Sequence, residues 1–426
     1  MRHVIIGAGP AGVIAAETLR SLDADCEIVI IGEEPEQPYS RMALPYYLVK
    51  QIPEQGTHLR KSADHYDQKN IELITAFVRS IDPESRSLTL ANGTEIKFDK
   101  CLVATGSSPV SPPIPGMDLP GITPCWTLAD ARNIAAHAKP GAKVLLMGAG
   151  FIGCIILEAL AKSGADLTVV EMGDRMVPRM MNEKAGNLIK QWCQSKGVTV
   201  HTSTQVVRID ADQENGSGQP LSVVLDNGQA ITSDLVVSAT GVRPNIDFLS
   251  GSGVEIDQGI VINRNMQSNM PHIYAAGDVA QGLDFSTGGY SVQAIQPTAS
   301  EHGQIAARNM AGLGQAVHRG SVNMNVLDTL GLISSSFGLW MGVDGGDSAE
   351  LYNPERYRYL NLQFKDDCIV GATALGLTQH VGVLRGLIQS RVKLGVWKSK
   401  LIQDPSRIME AYLANTQAIG FNSKLM

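Results

Sequence analysis

The apolar positions of this chain fall into unbroken runs stopped by glycine, separated by stretches that read as helix. Val4-Ile5-Ile6 is such a run, the pattern of a strand covered on both faces. It ends in Gly7-Ala8-Gly9-Pro10-Ala11-Gly12, and Val13 to Leu22 then reads as a helix before a second apolar run, Glu27-Ile28-Val29-Ile30-Ile31. Strand, glycine-rich turn, helix and strand make a βαβ unit, which predicts a parallel sheet.

The pattern then returns. Val144-Leu145-Leu146-Met147 runs into Gly148-Ala149-Gly150-Phe151-Ile152-Gly153, which opens a helix reaching Lys162, and Leu167-Thr168-Val169-Val170 follows. Ser87 to Thr94 and Leu221 to Gln229 each read as a hairpin closed by Asn-Gly, a pair that accepts the positive φ of a tight two-residue turn. Each hairpin leads into a strand ending in Ala-Thr-Gly, at Ala104-Thr105-Gly106 and at Ala239-Thr240-Gly241. Landmarks in one order at nearly constant spacing mark residues 1 to about 245 as two copies of one α/β unit. The Pro- and Gly-rich stretch from Ser107 to Gly116 reads as the connection between them. Beyond Pro244 come short strands at Ile260-Val261-Ile262 and His272 to Ala276, a helix from about Thr298 to Met310, and a third region from 321 to 426.

Composition narrows the function. With 426 residues, 44% hydrophobic and 18% charged, the chain can bury a large core and lacks the signature of disorder. A net charge of -7 argues against nucleic acid as a partner, because such binding needs a basic excess. Neither a signal peptide nor a membrane-spanning run is readable, so a soluble cytoplasmic protein is expected. Cys26, Cys101, Cys125, Cys154, Cys193 and Cys368 form no CxxC pair, so they read as small buried hydrophobes and not as metal or cluster ligands. The nine histidines show no ligand spacing, and no metal is expected.

The glycine turns carry the chemistry. In Gly7-x-Gly9-x-x-Gly12 the first glycine allows the turn, the second lets a pyrophosphate approach the backbone, and the third lets helix and strand pack closely. The phosphates meet the helix N-terminus, where free N–H groups and the dipole favour anions. Glu33 and Glu34 stand about 20 residues beyond Gly12, where an acid takes the ribose hydroxyls; one of the two is expected to do so. Glu171 holds the matching place after Gly148-x-Gly150-x-x-Gly153. An acid there favours NAD(H) over NADP(H), although Arg175 nearby could accommodate a 2′-phosphate.

Two dinucleotide turns in one chain point to a flavin together with a nicotinamide. The chain resembles the FAD-dependent pyridine nucleotide reductases with two dinucleotide-binding domains, through both glycine turns, both Ala-Thr-Gly strand ends, Pro115-Gly116, Gly241-Val242-Arg243-Pro244-Asn245 and Ile273-Tyr274-Ala275-Ala276-Gly277-Asp278-Val279. The resemblance implies an α/β fold with two Rossmann-like FAD- and NAD-binding domains and a C-terminal α+β interface domain. Its boundaries would be 1–115 with 243–320 for FAD, 116–242 for NAD, and 321–426 for the interface domain. FAD would be held by Gly7, Gly9, Pro10, Ala11, Gly12, Glu33 or Glu34, Arg41, Ala104, Thr105, Gly106, Gly277 and Asp278. NAD(H) would be held by Gly148, Gly150, Phe151, Ile152, Gly153, Glu171 and Gly241. The helix near Thr298 would aim its positive end at the flavin.

Departures from the family matter equally. Disulfide-reducing branches carry a redox cysteine after the first ribose acid, and residues 35 to 50 contain none; with no thiolate to relay electrons, disulfide chemistry is disfavoured. Cys154-Ile155 stands near where relatives place a glutamate, and the segment Arg41-Met42-Ala43-Leu44-Pro45 lacks their lysine. No residue needs to act as acid, base or nucleophile, so the expected site residues bind cofactors.

The resemblance therefore implies a flavoprotein that exchanges electrons between NAD(H) and a separate iron-sulfur protein or iron-sulfur subunits of a multi-subunit oxidoreductase. Within the family it is similar to the NADH-handling subunit of 2-oxoacid dehydrogenase complexes. A free-standing NADH:rubredoxin or ferredoxin reductase, possible as a homodimer, is the first alternative, and a flavin-binding redox sensor without turnover is another. Arg385, Arg391, Lys393, Lys398 and Lys400 form a basic stretch in the third region, read as a solvated face or, alternatively, a dock for an acidic partner. Trp340 and Trp397 read as packing residues.

Overall fold

A computed structural model describes residues 1–211, 220–314 and 316–422. The strands of its two parallel sheets, in chain order, are β1 (Arg2–Ile6), β2 (Glu27–Gly32), β3 (Ile71–Thr75), β4 (Lys100–Val103), β5 (Ile122–Pro124), β6 (Lys143–Met147), β7 (Asp166–Val170), β8 (Thr199–His201), β9 (Leu235–Ser238) and β10 (Ile273–Ala275). The helices that matter most for the site are α1 (Pro10–Leu22), α2 (Phe151–Lys162), α3 (Glu183–Ser195) and α4 (Gln296–Met310).

The chain divides into two compact units, one of Met1–Ser108 with Val242–Ser321, the other of Pro109–Gly241 with Val322–Met426. The first unit is built on a five-stranded sheet of order β10-β4-β1-β2-β3, parallel throughout. Val4, Ile5 and Ile6 are buried, as are Ile28 to Ile31, because the sheet is covered on both faces and tolerates no polar alternation. Beside it lies an antiparallel sheet of Val78–Asp82, Ser87–Leu90 and Glu95–Lys97, closed by the expected Asn92-Gly93 turn.

The second unit repeats the plan. Its parallel sheet runs β8-β7-β6-β9-β5, and Val206–Ala211, Leu221–Leu225 and Ala230–Ser233 form the matching antiparallel sheet. The two copies differ in where their fifth strand comes from. In the first sheet β10 arrives late in the chain, while in the second β5 precedes the rest.

The second unit also contains an antiparallel sheet of β11 (Met324–Thr329), β12 (Leu332–Gly338), β13 (Asp347–Asn353), β14 (Arg358–Lys365) and β15 (Cys368–Leu375), in the order β11-β12-β15-β14-β13. One of its faces packs Phe337, Ala372, Leu360 and Leu362 together with Leu384, Leu387 and Leu401 of the helices Val381–Gln389 and Val396–Gln403. Trp192 of α3 donates to the carbonyl of Thr329 at 3.1 Å, and Asn182, which caps α3, donates to the Tyr359 hydroxyl at 2.6 Å. Trp340 is buried, as expected of a packing residue.

Two helices begin earlier than their apolar pattern suggests. α1 starts at Pro10 and α4 at Gln296, each with proline in the first turn, a position where the missing N–H costs nothing and the fixed φ suits a helix. All six cysteines are free thiols and buried. Among the described residues no helix is long and apolar enough to cross a membrane.

Candidate cofactor sites

Both glycine turns are built the same way. Gly7 has φ +119° and Gly148 φ +99°, and a Cβ on either would run into the carbonyl oxygen of Ala104 or Ala239 respectively. A Cβ on Gly12 would strike the Gly7 carbonyl, and one on Gly153 the Gly148 carbonyl. Glycine is needed at all four places, for the turn and for the approach of helix to strand. At Gly9 and Gly150, by contrast, nothing lies within 4 Å of an added Cβ, so the turn leaves room over its backbone. Those two residues also cap α1 and α2, with no side chain bonded to the first-turn amides. Open space and unpaired N–H groups at a helix N-terminus suit a pyrophosphate. Half-buried Pro10, with buried Ala11, opens α1; Phe151 and Ile152, both half-buried, open α2.

Around the first turn, a chain of polar contacts links residues remote in sequence. Tyr39 donates to Glu34 Oε2 at 2.5 Å, and Arg41 Nη2 donates to Glu34 Oε1 at 3.1 Å. Arg41 Nη1 donates to the Ser107 carbonyl at 3.1 Å, and Ser107 Oγ donates to Asp278 Oδ2 at 3.1 Å. Ser40, between Tyr39 and Arg41, donates to the Gln296 side chain at the start of α4 at 2.7 Å. Burial pushes the Asp278 carboxyl up, opposed by the Ser107 hydroxyl and by Arg41. Glu33 is exposed, whereas Glu34 belongs to this chain of contacts. Gly277 (φ +78°) lies between Ala11 of α1 and Ala299 of α4, each 3.4 Å from where a Cβ would be. Thr105 is fastened to Asn245 in both directions, donating from Oγ1 at 2.8 Å and accepting from Nδ2 at 2.9 Å, and Asn245 N–H reaches the Gly106 carbonyl at 3.0 Å.

Around the second turn the acid behaves differently. Buried Glu171 accepts from the Ala149 amide at 2.6 Å and from the Gly173 amide at 2.7 Å. Val177 N–H closes on the Ala149 carbonyl at 2.8 Å, so both polar groups of Ala149 are engaged by the loop after β7. Each carboxylate oxygen keeps a further lone pair for a ribose hydroxyl. Arg175 is spent on its own loop, donating to the carbonyls of Met181 at 2.8 Å and Pro178 at 3.3 Å and to Asp174 at 2.7 Å. Gly241 follows Thr240, whose hydroxyl donates to the Val110 carbonyl at 3.0 Å.

Sequence reasoning missed Ser107, Gly173 and Gln296 as members of these surroundings. Ser107 directly follows Ala104-Thr105-Gly106 and could have been included on that ground; the bonds of Gly173 and Gln296 leave no mark in spacing.

The family model for pyridine nucleotide-disulphide oxidoreductases matches residues 1–303. The chain belongs to this family. It is accordingly an FAD-dependent oxidoreductase of NAD(H). The subunit epsilon of the NADH-dependent phenylglyoxylate dehydrogenase of Aromatoleum evansii is 30% identical over 417 residues, 97% of this chain and 98% of that one. The ferredoxin–NAD(+) reductase component of the 3-phenylpropionate/cinnamic acid dioxygenase of Photorhabdus laumondii is 31% identical, covering 73% of this chain and 77% of its own. Among solved structures, the covalent putidaredoxin reductase–putidaredoxin complex matches with a TM-score of 0.88 at 22% identity, over 97% of this chain and 99% of that chain, a likeness of fold. Against the family's disulphide name, this member has no cysteine between residues 35 and 50.

Proposed function

We propose that the chain is the NADH-handling flavoprotein of an electron-transfer system, holding FAD in its first unit and NAD(H) on the repeated turn of its second, and exchanging electrons with an iron-sulfur partner. The observation that carries this reading is the duplicated turn, open at Gly9 and Gly150 and closed to any side chain at Gly7, Gly12, Gly148 and Gly153. FAD, when bound, takes two electrons together from a nicotinamide and can release them singly.

The protein's own part is placement. Gly7 to Gly12 and the N-terminus of α1 receive the FAD pyrophosphate; Glu34 or Glu33 takes its ribose, while Arg41, Ala104 to Gly106, Gly277 and Asp278 line the remainder. Gly148 to Gly153 and Glu171 receive NAD(H) within residues 116–242, with Gly241 at the closing turn. The commitment of Arg175 to Met181, Pro178 and Asp174 supports NAD(H) over NADP(H), since that arginine is drawn away from a 2′-phosphate.

With all six cysteines buried and free, none supplies a disulfide relay or a cluster, so the electrons pass to a separate protein. The near full-length likeness to the phenylglyoxylate dehydrogenase subunit supports membership of a 2-oxoacid dehydrogenase complex with iron-sulfur subunits, and free thiols suit the reducing cytoplasm. The likeness to a ferredoxin–NAD(+) reductase component favours, as second reading, a free-standing ferredoxin or rubredoxin reductase.

Anaerobic addition of NADH to the purified protein tests the core of the proposal. Bleaching of the flavin band is expected, and a bound flavin that NADH leaves unchanged would point to a sensor instead. A native pull-down separates the two partner readings: co-isolated iron-sulfur subunits support the complex, a lone chain that reduces a small iron-sulfur carrier supports the second.

A further inference from the structure

The polar chain around the first turn joins three pieces of sequence: the segment after β2, the residues after β4, and the Gly277-Asp278 turn after β10. Ser107 is its middle link and takes part twice. Its carbonyl receives Arg41 at 3.1 Å and its hydroxyl is given to Asp278 at 3.1 Å. The side chain is buried, so water cannot readily replace that donor.

We infer that Ser107 is a positioning residue, holding the carboxylate of Asp278 and the guanidinium of Arg41 in the one arrangement that receives the hydroxyl-bearing chain of the dinucleotide. The inference rests on the assignment of FAD to this unit and adds a residue that acts through two others. Its physical basis is the competition at Asp278. Burial disfavours the carboxylate, while a donated hydrogen bond and a nearby cation favour it. The charged group bearing on Asp278 is Arg41, from the 3-10 turn Arg41–Ala43, with Glu34 paired behind it. The neighbouring Gly277 is flanked by the apolar side chains of Ala11 and Ala299. Arg41 is shared with Glu34, and the Ser107 hydroxyl donates directly to Asp278.

Removing the hydroxyl leaves the backbone carbonyl in place for Arg41 and withdraws the donor to Asp278. The carboxyl then takes a proton at higher pH, and a protonated acid accepts a hydroxyl less well than a carboxylate does. Cofactor affinity should therefore be lost as pH falls, and the loss should begin at higher pH in the variant.

The test uses the full chain stripped of cofactor and titrated with FAD by flavin fluorescence from about pH 5 to 9. For Ser107→Ala the midpoint of the pH dependence should move up, with Kd near pH 6 about tenfold weaker than wild type. Ser107→Thr, which keeps the hydroxyl, should restore the wild-type profile. In an Asp278→Asn background, Ser107→Ala should add little. A Ser107→Ala profile that superimposes on wild type, or an equal effect in the Asp278→Asn background, overturns the inference while leaving the cofactor assignment standing. Should Ser107→Ala fail to fold by circular dichroism, Ser107→Cys carries the same test, because its weaker donor must also raise the midpoint. A wild-type apoprotein that takes up no FAD overturns the cofactor assignment, and this inference with it.

Discussion

Glu171 and Ala149 are joined by a hydrogen bond of 2.6 Å, from the amide in the middle of the second glycine turn to the acid that directly follows β7. The other oxygen of the same carboxylate takes the Gly173 amide at 2.7 Å. Glu171, proposed above to take the ribose, is thus also a structural strut of its own turn. Glu171→Ala leaves two amides without a charged acceptor, at a cost of about 1.5–3 kcal/mol each. The expected outcome is a KM for NADH raised at least tenfold, with the flavin still bound and kcat changed far less. Steady-state kinetics with NADH and NADPH check it, and a shrinking preference between the two is expected as well.

The two turns should fail separately. Gly153→Ala places a methyl group against the Gly148 carbonyl, which forces α2 away from β6. The purified variant should remain yellow and lose its bleaching by NADH. Gly12→Ala makes the same collision in the first unit, with Gly7, and should yield colourless protein. Absorbance spectra before and after anaerobic NADH distinguish the two.

Acid should destabilise the fold through a buried histidine pair. His302 of α4 and His318 are buried with ring centroids 4.7 Å apart, edge to face, and neither ring nitrogen of His302 has a partner. Burial, with the charge of His318 added, lowers the His302 pKa from 6.5 to about 3. Between those values the unfolded chain binds a proton that the folded chain refuses. Stability is therefore fully present above pH 6.5 and falls as pH drops, by about 1.4 kcal/mol per pH unit for this group. His302→Leu should flatten the fall in thermal midpoint between pH 6.5 and 4 relative to wild type, as read by calorimetry.

Thiol reagents should spare the native protein. Burial pushes the thiols of Cys125 and Cys193 up to about 12, and those of Cys101 and Cys154 are raised further. A thiol so held is scarcely ionised at neutral pH and reacts slowly. Ellman titration should count few thiols before denaturation and close to six after it, and flavin reduction by NADH should survive alkylation of the folded chain.

Legibility in the sequence followed the reach of the interactions. The strands β1, β2, β6 and β7 and both glycine turns are local, set by continuous apolar runs and by residues a few places apart, and all stand where expected. The fifth strand of the second sheet is different: β5 is three residues long, Ile122–Pro124, too short for any periodicity, and gains its place by pairing with β9, whereas β10 of the first sheet stands where expected. The contact chain from Tyr39 to Asp278 was equally hidden, because its members come from segments that meet only when β10 pairs with β4. The basic stretch of the third region proved partly self-neutralised. Lys398 pairs with Asp347 at 2.8 Å, and Lys400 and Arg407 lie over the ring of Trp397.

The late arrival of β10 also bears on how the protein is made. The first unit lacks the partner of β4 and the Asp278 turn until the chain has been synthesised well past the whole second parallel sheet. A nascent chain therefore exposes an open edge at β4, a place where strands can pair wrongly, while β5 to β9 emerge and fold. The Asp278 turn thus joins the first unit only after the second parallel sheet has emerged, and the second unit in its turn is complete only with Val322–Met426.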